Sequence, residues 1–171
     1  MFERTDMIGL NLNKRLSGIL AAGRAVISQL DLDKALTIVL KQAMAVTDTK
    51  AGSIALYNAE SHTLRIHAHQ GFSKHFLANR EWKAGRYGLT ERILRSKKMI
   101  VITNTASKSF FSNPIAVQEG IKSLVCVPLV HQRETVGILY VDDFAPRTFA
   151  KAALQELEIL ASFASIAISH A

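Results

Sequence analysis

Four places in this 171-residue chain hold side chains that could do chemistry. Cys126 is the only cysteine, so it forms no internal disulfide and could serve only as a thiolate nucleophile. It stands inside the apolar run 124–127, where a buried, inert thiol is the expected state. His67 and His69 sit two apart on a strand-like segment, a spacing that puts both on one face with Arg65 while Leu64, Ile66 and Ala68 share the other. Zinc needs a third and usually a fourth ligand, and His62, His75, His131 and His170 fall in turns or at the terminus, so no metal is expected. Ser112, Asn113 and Pro114 read as a capping residue followed by proline at the first helical position, with Gly120 as the stop. The free N–H groups at such a start favour a carboxylate or phosphate, although a structural cap alone explains the same pattern. Between residues 60 and 100 nine Lys or Arg face three Glu, the local source of the net charge of +7. That stretch lacks aromatics at base-stacking spacing and any nucleic-acid motif. It reads as a solvated face or as a positive rim around a pocket, with Arg86 in reach.

The elements that must position these groups show as periodicity. Residues 10–30 carry Leu12, Leu16, Ile19, Gly23, Val26 and Leu30 at alternating spacings of four and three, a helical seam. Asp31 is placed to cap a second amphipathic helix, with Leu32, Leu36, Val39, Ala43 and Val46 on one face, ending at Thr47 and Asp48. Strands follow at 51–57 and 63–70 around a turn at 58–62. Residues 72–88 read as an irregular loop carrying Trp82 and Tyr87, then come a helix at 89–96, a short strand at 99–103 and the capped helix 114–119. The run 120–142 is a hairpin whose arms are apolar on nearly every residue, so both sheet faces must be covered. Pro128 cannot donate to a ladder, which predicts an edge or a bulge beside it. A final helix begins near Thr148. Its apolar stripes (Leu154, Leu157, Ala161, Ala164, Ile168, Ala171; and Ile159, Phe163, Ile166) leave only Gln155, Glu158, Ser162, Ser165 and Ser169 as a polar strip. An apolar arc of about 240°, at ~100° per residue, exceeds what one sheet face needs, so the first helix or a second copy must cover the rest.

The hairpin, with Val127–Pro128–Leu129 before Gly137–Ile138–Leu139–Tyr140–Val141–Asp142, resembles the central hairpin of the GAF family of sensor domains. The resemblance extends over roughly 140 residues, through residues 30–36, 51–57, 64–72, 89–103 and the final helix. It implies an α+β fold: a central antiparallel sheet of five or six strands, the N- and C-terminal helices on one face, and short helices and loops forming a pocket on the other, as in GAF and PAS domains. It implies a division into an N-terminal signalling and dimerisation helix, 1–30, and a GAF domain, 31–171. The pocket segments carried onto this chain make Phe72, Trp82, Tyr87, Thr103, Asn104, Phe111, Asn113 and Ser123 candidate ligand-binding residues, with Arg86 at the rim. Phe110 and Phe111 could instead plug the cavity.

The function implied is a non-catalytic regulatory input domain that binds a small molecule, an anion among the options, or a partner and needs no cofactor. Its output would be a histidine kinase, diguanylate cyclase, chemoreceptor or transcriptional activator, and a homodimer would form through the terminal helices. One branch of the family reduces free methionine sulfoxide through cysteines that form a disulfide, a pair a lone Cys126 cannot supply. The bilin-attaching branch needs a cysteine in the pocket segments. The last strand continues as Tyr140–Val141–Asp142–Asp143–Phe144, without the pattern of many cyclic-nucleotide binders. A purely structural dimer spacer is the remaining alternative. Apolar content of 49% supports a globular core, and no apolar run reaches the ~18 residues of a membrane span. The expectation is a cytoplasmic protein that contacts neither membrane nor nucleic acid.

Overall fold

The computed structural model describes residues 2–28 and 31–171, and the side chains of all of these except residues 2–6 and Arg86. Six strands form one wholly antiparallel sheet. β1 (Ala51–Asn58) and β2 (Thr63–Gln70) make the first hairpin; β3 (Glu81–Lys83) and β4 (Ile100–Ile102) are short edge strands; β5 (Ser123–His131) and β6 (Glu134–Asp143) make the long hairpin. The order β3-β2-β1-β6-β5-β4 places the two hairpins side by side, with β1 and β6 at the centre. Double-sided burial follows from the uninterrupted apolar runs: Val125, Val127, Leu139 and Val141 pack under the terminal helices, while Leu124, Cys126 and Ile138 face the opposite side. Pro128 lies beyond the reach of β4, which pairs only with residues 124–126, and the register shifts between Leu129 and Val130. The expected edge and the expected bulge therefore occur together.

Three helices cover the first face: α1 (Phe2–Ser28), α2 (Leu32–Thr47) and, at the end of the chain, α6 (Lys151–Ser169). Between them come α3 (Lys74–Ala78), α4 (Gly88–Ser96) and α5 (Pro114–Glu119), all on the other face. Asp31 caps α2 by accepting from Lys34 N, and Asp48 ends it in the left-handed conformation, both as the sequence predicts. The seam of α1 packs only along its second half, where Ile19, Ala22 and Val26 are buried. Leu12 and Leu16 are half exposed, and Leu30 lies outside the described residues. Arg15 pins the helix by a 2.6 Å ion pair to Glu156 of α6.

Four expectations are corrected. Thr148 caps nothing: α6 starts at Lys151 behind Ala150, because the Arg147 guanidinium donates to Thr47 O and Asp48 O at 2.9 and 2.8 Å and pairs with Asp143 at 3.1 Å, holding the preceding segment extended. Ser165 belongs to the core rather than the polar strip, its hydroxyl satisfied by Ala161 O at 2.8 Å, and Leu160, outside both predicted stripes, is fully buried. The stretch 72–88 is no loop: it holds α3 and β3, and Trp82 sits on β3 opposite Leu64. Finally, the β1–β2 register jumps between Ile54 and Ala55, so that His67 is the extra residue and Ala68 joins the helix-side core while Leu64 and Ile66 stay on the far side. This bulge separates the two histidines: His67 meets Asp33 of α2 at 3.1 Å, whereas His69 lies across from Ser53, which faces the opposite side.

By length and composition α6 is apolar enough to cross a membrane. In the fold, Leu157, Leu160, Ala161 and Ala164 of this helix are core residues against the sheet and α2.

Candidate functional site

On the face away from the terminal helices, the sheet and the short elements enclose a chamber of about 70 Å³. One ordered water needs ~10–15 Å³ by the same measure, so the space suits a small molecule. Its floor is made by alternate residues of the central strands: Ser53 of β1, Ile66 of β2, Leu124 of β5, and Tyr140 and Asp142 of β6. Trp82, α3, α4, the segment 110–113 and α5 form the walls. These walls are fastened to one another. Glu119 of α5 accepts from both the N–H and the hydroxyl of Ser73, at 2.7 Å each, and so grips the start of α3. Trp82 Nε1 donates to Thr90 Oγ1 of α4 at 3.2 Å. Phe110 lies against Gly88, where a Cβ would come within 2.9 Å of its own Cβ, and under the Arg92 guanidinium at 4.1 Å.

Of the candidate ligand-binding residues, Trp82, Tyr87, Phe111 and Asn113 line the chamber. The other four lie elsewhere. Phe72 stacks on Phe76 at 4.1 Å just outside; Thr103 O accepts the Arg147 N–H; Asn104 caps a short 3-10 turn through Ala106 N; Ser123 points to the helix side and donates to Ala145 O. The side chain of Arg86 lies outside the described residues. The α5 helix forms as predicted, with Gly120 at φ +86°, but Asn113 already accepts from Ile115 N at 3.0 Å, so the cap occupies that end itself. Among the described residues no His, Lys or Arg lines the chamber, and no group of three His, Cys, Asp or Glu side chains could hold a metal.

The most consequential lining residue is one that periodicity did not single out. Asp142 is 3% exposed, lines the chamber, and accepts no hydrogen bond from the described residues. Its neighbour Asp143, on the other face, is fully engaged with Phe144 N at 2.9 Å and Arg147 at 3.1 Å. Loss of water around Asp142, and secondarily the Asp143 charge, push its carboxyl from 3.8 up to about 8. The signal was present: a charged residue directly after the uninterrupted run Val136–Val141 had to face either water or a cavity. Burial likewise raises Tyr140 well above the ordinary phenol range, partly offset by a hydrogen bond from Thr90.

Cys126 is fully buried in β5, and desolvation, followed by the Asp142 charge, holds its thiol far above the ordinary range. A disulfide-exchange reagent such as DTNB is therefore expected to find no thiol in the native protein over an hour and one per chain in denaturant. Rapid native reaction would show that β5 opens.

With this geometry in place, the likenesses to known proteins take on meaning. A family model described as GAF domain matches residues 29–169. The formate hydrogenlyase transcriptional activator of Salmonella typhimurium is 26% identical over 163 residues, covering 90% of this chain and 23% of its own length, so the chain spans about a quarter of that relative. The crystal structure of the GAF domain from an Acinetobacter phosphoenolpyruvate-protein phosphotransferase superposes with a TM-score of 0.81 at 21% identity, over 92% of this chain and 94% of that one. A free methionine-R-sulfoxide reductase from Neisseria meningitidis, solved with its substrate, gives 0.74 at 15% identity over 91% and 88%. At such identities the two structures establish the fold alone. The match of the family model over most of the chain, on a sheet of the same architecture, shows that this chain belongs to the GAF domain family.

Proposed function

We propose that this chain is a non-catalytic sensor module that binds a small molecule in the chamber and regulates an output domain in the same or a partner polypeptide, with a transcriptional activator as the first choice of output. The chamber itself carries this reading: walls fastened to one another over a floor where the buried Asp142 carboxyl accepts no hydrogen bond from the described residues. Unfilled buried polar groups cost stability, and a ligand that satisfies one recovers it. A GAF-type relative that is a transcriptional activator supports the choice of output. Catalysis by a thiol pair has no second cysteine to use. A cytoplasmic setting fits such a regulator.

The module is proposed to work as a homodimer through its terminal helices. Met7, Ile8, Leu10, Leu12, Leu16 and Leu20 of α1 are half to two-thirds exposed, and Ile159 and Ile166 of α6 extend the apolar surface. The rest of the wide apolar arc of α6 is covered by α1 and α2 of the same chain, so the unpaired surface belongs mainly to α1. A second copy meeting it in parallel would bring two exit helices together, and a ligand that favours one sheet position over another would reach the output through them. Light scattering at tens of micromolar is expected to give a dimer, and the double change Leu12→Glu with Leu16→Glu a folded monomer. A monomeric parent would remove the transmission route. Thermal-shift screening with amines, amino acids, carboxylates and nucleotides tests the sensor reading, since a ligand of the native state alone raises the melting temperature. If none does, the module is a structural spacer.

A further inference from the structure

We propose that the chamber is built for a ligand carrying a compact N–H cation, a primary ammonium or a guanidinium, that pairs with Asp142 and is faced by the surrounding aromatic rings. The inference rests on the small-molecule reading above and gives it a chemical class. Three independent features carry it. Asp142 is 3% exposed and accepts no hydrogen bond from the described residues, on one of the two central strands of the sheet, while each carboxylate oxygen of Asp143, one residue later, accepts a hydrogen bond. Among the described side chains that line the chamber Asp142 is the only Asp, Glu, His, Lys or Arg, so the countercharge to its ionised form must arrive with the ligand. Six aromatic side chains, Phe76, Trp82, Tyr87, Phe110, Phe111 and Tyr140, make up the rest of its most polarisable lining.

A carboxylate in a chamber lined by aromatic side chains is chemistry that suits organic cations: ring quadrupoles attract positive charge within about 6 Å of a centroid, and more strongly where water is excluded. Once Asp142 is ionised, the same surroundings reject an anion. Two helix starts reach the chamber: that of α5 is capped by Asn113, and at that of α4 Leu89 N already donates to Phe110 O, while an approaching carboxylate or phosphate meets Asp142 in a low-dielectric space unless that group stays protonated. The groups facing Asp142 from neighbouring elements are Cys126 of β5 and Tyr140 of β6, both neutral in the working range because burial raises them, and Asp143 behind the sheet, which opposes its ionisation. Binding a cation therefore ionises Asp142 and releases one proton to solvent.

The test uses ethylammonium and methylguanidinium as probes against acetate and acetamide of matched size, titrated in phosphate between pH 6 and 9 and followed by backbone amide shifts of Ser53, Thr90 and Asp142. The cations are expected to saturate these shifts, with affinity rising about tenfold per pH unit up to pH ~8 and levelling above it. Asp142→Asn is expected to weaken them at least tenfold and to remove the pH dependence. Direct ¹³C titration of the Asp142 carboxyl is expected to move downward when a cation is bound, a readout that does not require the variant. Saturation by acetate or acetamide but not by the cations would overturn the cation assignment and leave the sensor reading standing. Saturation by none of the four would overturn both, and cation binding that survives Asp142→Asn unchanged would overturn the role of Asp142.

Discussion

Asparagine in place of Asp142 is expected to stabilise the ligand-free protein increasingly as pH rises from 4 to 8, and to change it little at pH 4. The folded carboxyl titrates at about 8 and the unfolded one near its ordinary 3.8, so between these values the native state holds a proton that the unfolded chain has released. Stability therefore falls with rising pH across that window: the contribution is intact below pH ~4 and fully lost above pH ~8. Four units correspond to at most about 6 kcal/mol, and water entering the chamber reduces this to roughly 3 kcal/mol. The neutral amide has nearly the shape of the protonated acid, and its own unmet hydrogen bonds cost the same at every pH. Urea unfolding of both proteins at pH 4, 7 and 9 isolates the effect, because all other titrating groups cancel in the difference. A difference that stays flat with pH would mean that Asp142 finds a partner in solution. In the proposed role the same carboxyl is the group a cationic ligand would satisfy, and its ionisation without one lowers the stability of the fold.

The sheet, the terminal helices and the α5 cap were legible because they depend on patterns of many residues. Runs such as residues 123–131, apolar on both faces, admit only a doubly covered strand, and Asp31 and Asn113 stand directly before apolar helical periods. What escaped depended on single backbone events. One extra residue at His67 sent Ala68 to the helix side and parted His67 from His69, and no periodicity announces where a bulge falls. The 72–88 stretch is polar because α3 bears no buried residue and β3 is an edge strand of three, so neither imprints an apolar period. Arg147 displaced the start of α6 through bonds to residues a hundred positions earlier. Of the residues that line the chamber, the sequence named Trp82, Tyr87, Phe111 and Asn113 of the walls and none of the floor. Floor residues alternate with core residues on the same strands, and only the pairing register decides that Ser53, Tyr140 and Asp142 share a face.

Alanine at Gly71 is expected to cost at least about 3 kcal/mol more than alanine at Gly120, although both glycines hold nearly the same left-handed backbone, φ +85° and +86°. That conformation costs an L side chain about 1–2 kcal/mol at either position. At Gly120 nothing lies within 4 Å of an added methyl, so the conformational term is the whole effect. At Gly71 the methyl would overlap the Lys50 carbonyl and stand 2.9 Å from Ala51 Cα, both backbone atoms that no rotamer change can move. Relief must come from shifting the start of β1, and Ala51 is the residue paired with Asp142. The chamber floor therefore yields first. Amide exchange at Gly52 and Asp142 should accelerate in Gly71→Ala and remain unchanged in Gly120→Ala, alongside a melting-temperature gap of several degrees at ~2–4 °C per kcal/mol. Equal losses in the two variants would show that β1 yields freely at Ala51, and a sheet that yields there could not hold Asp142 in a fixed position to meet a ligand.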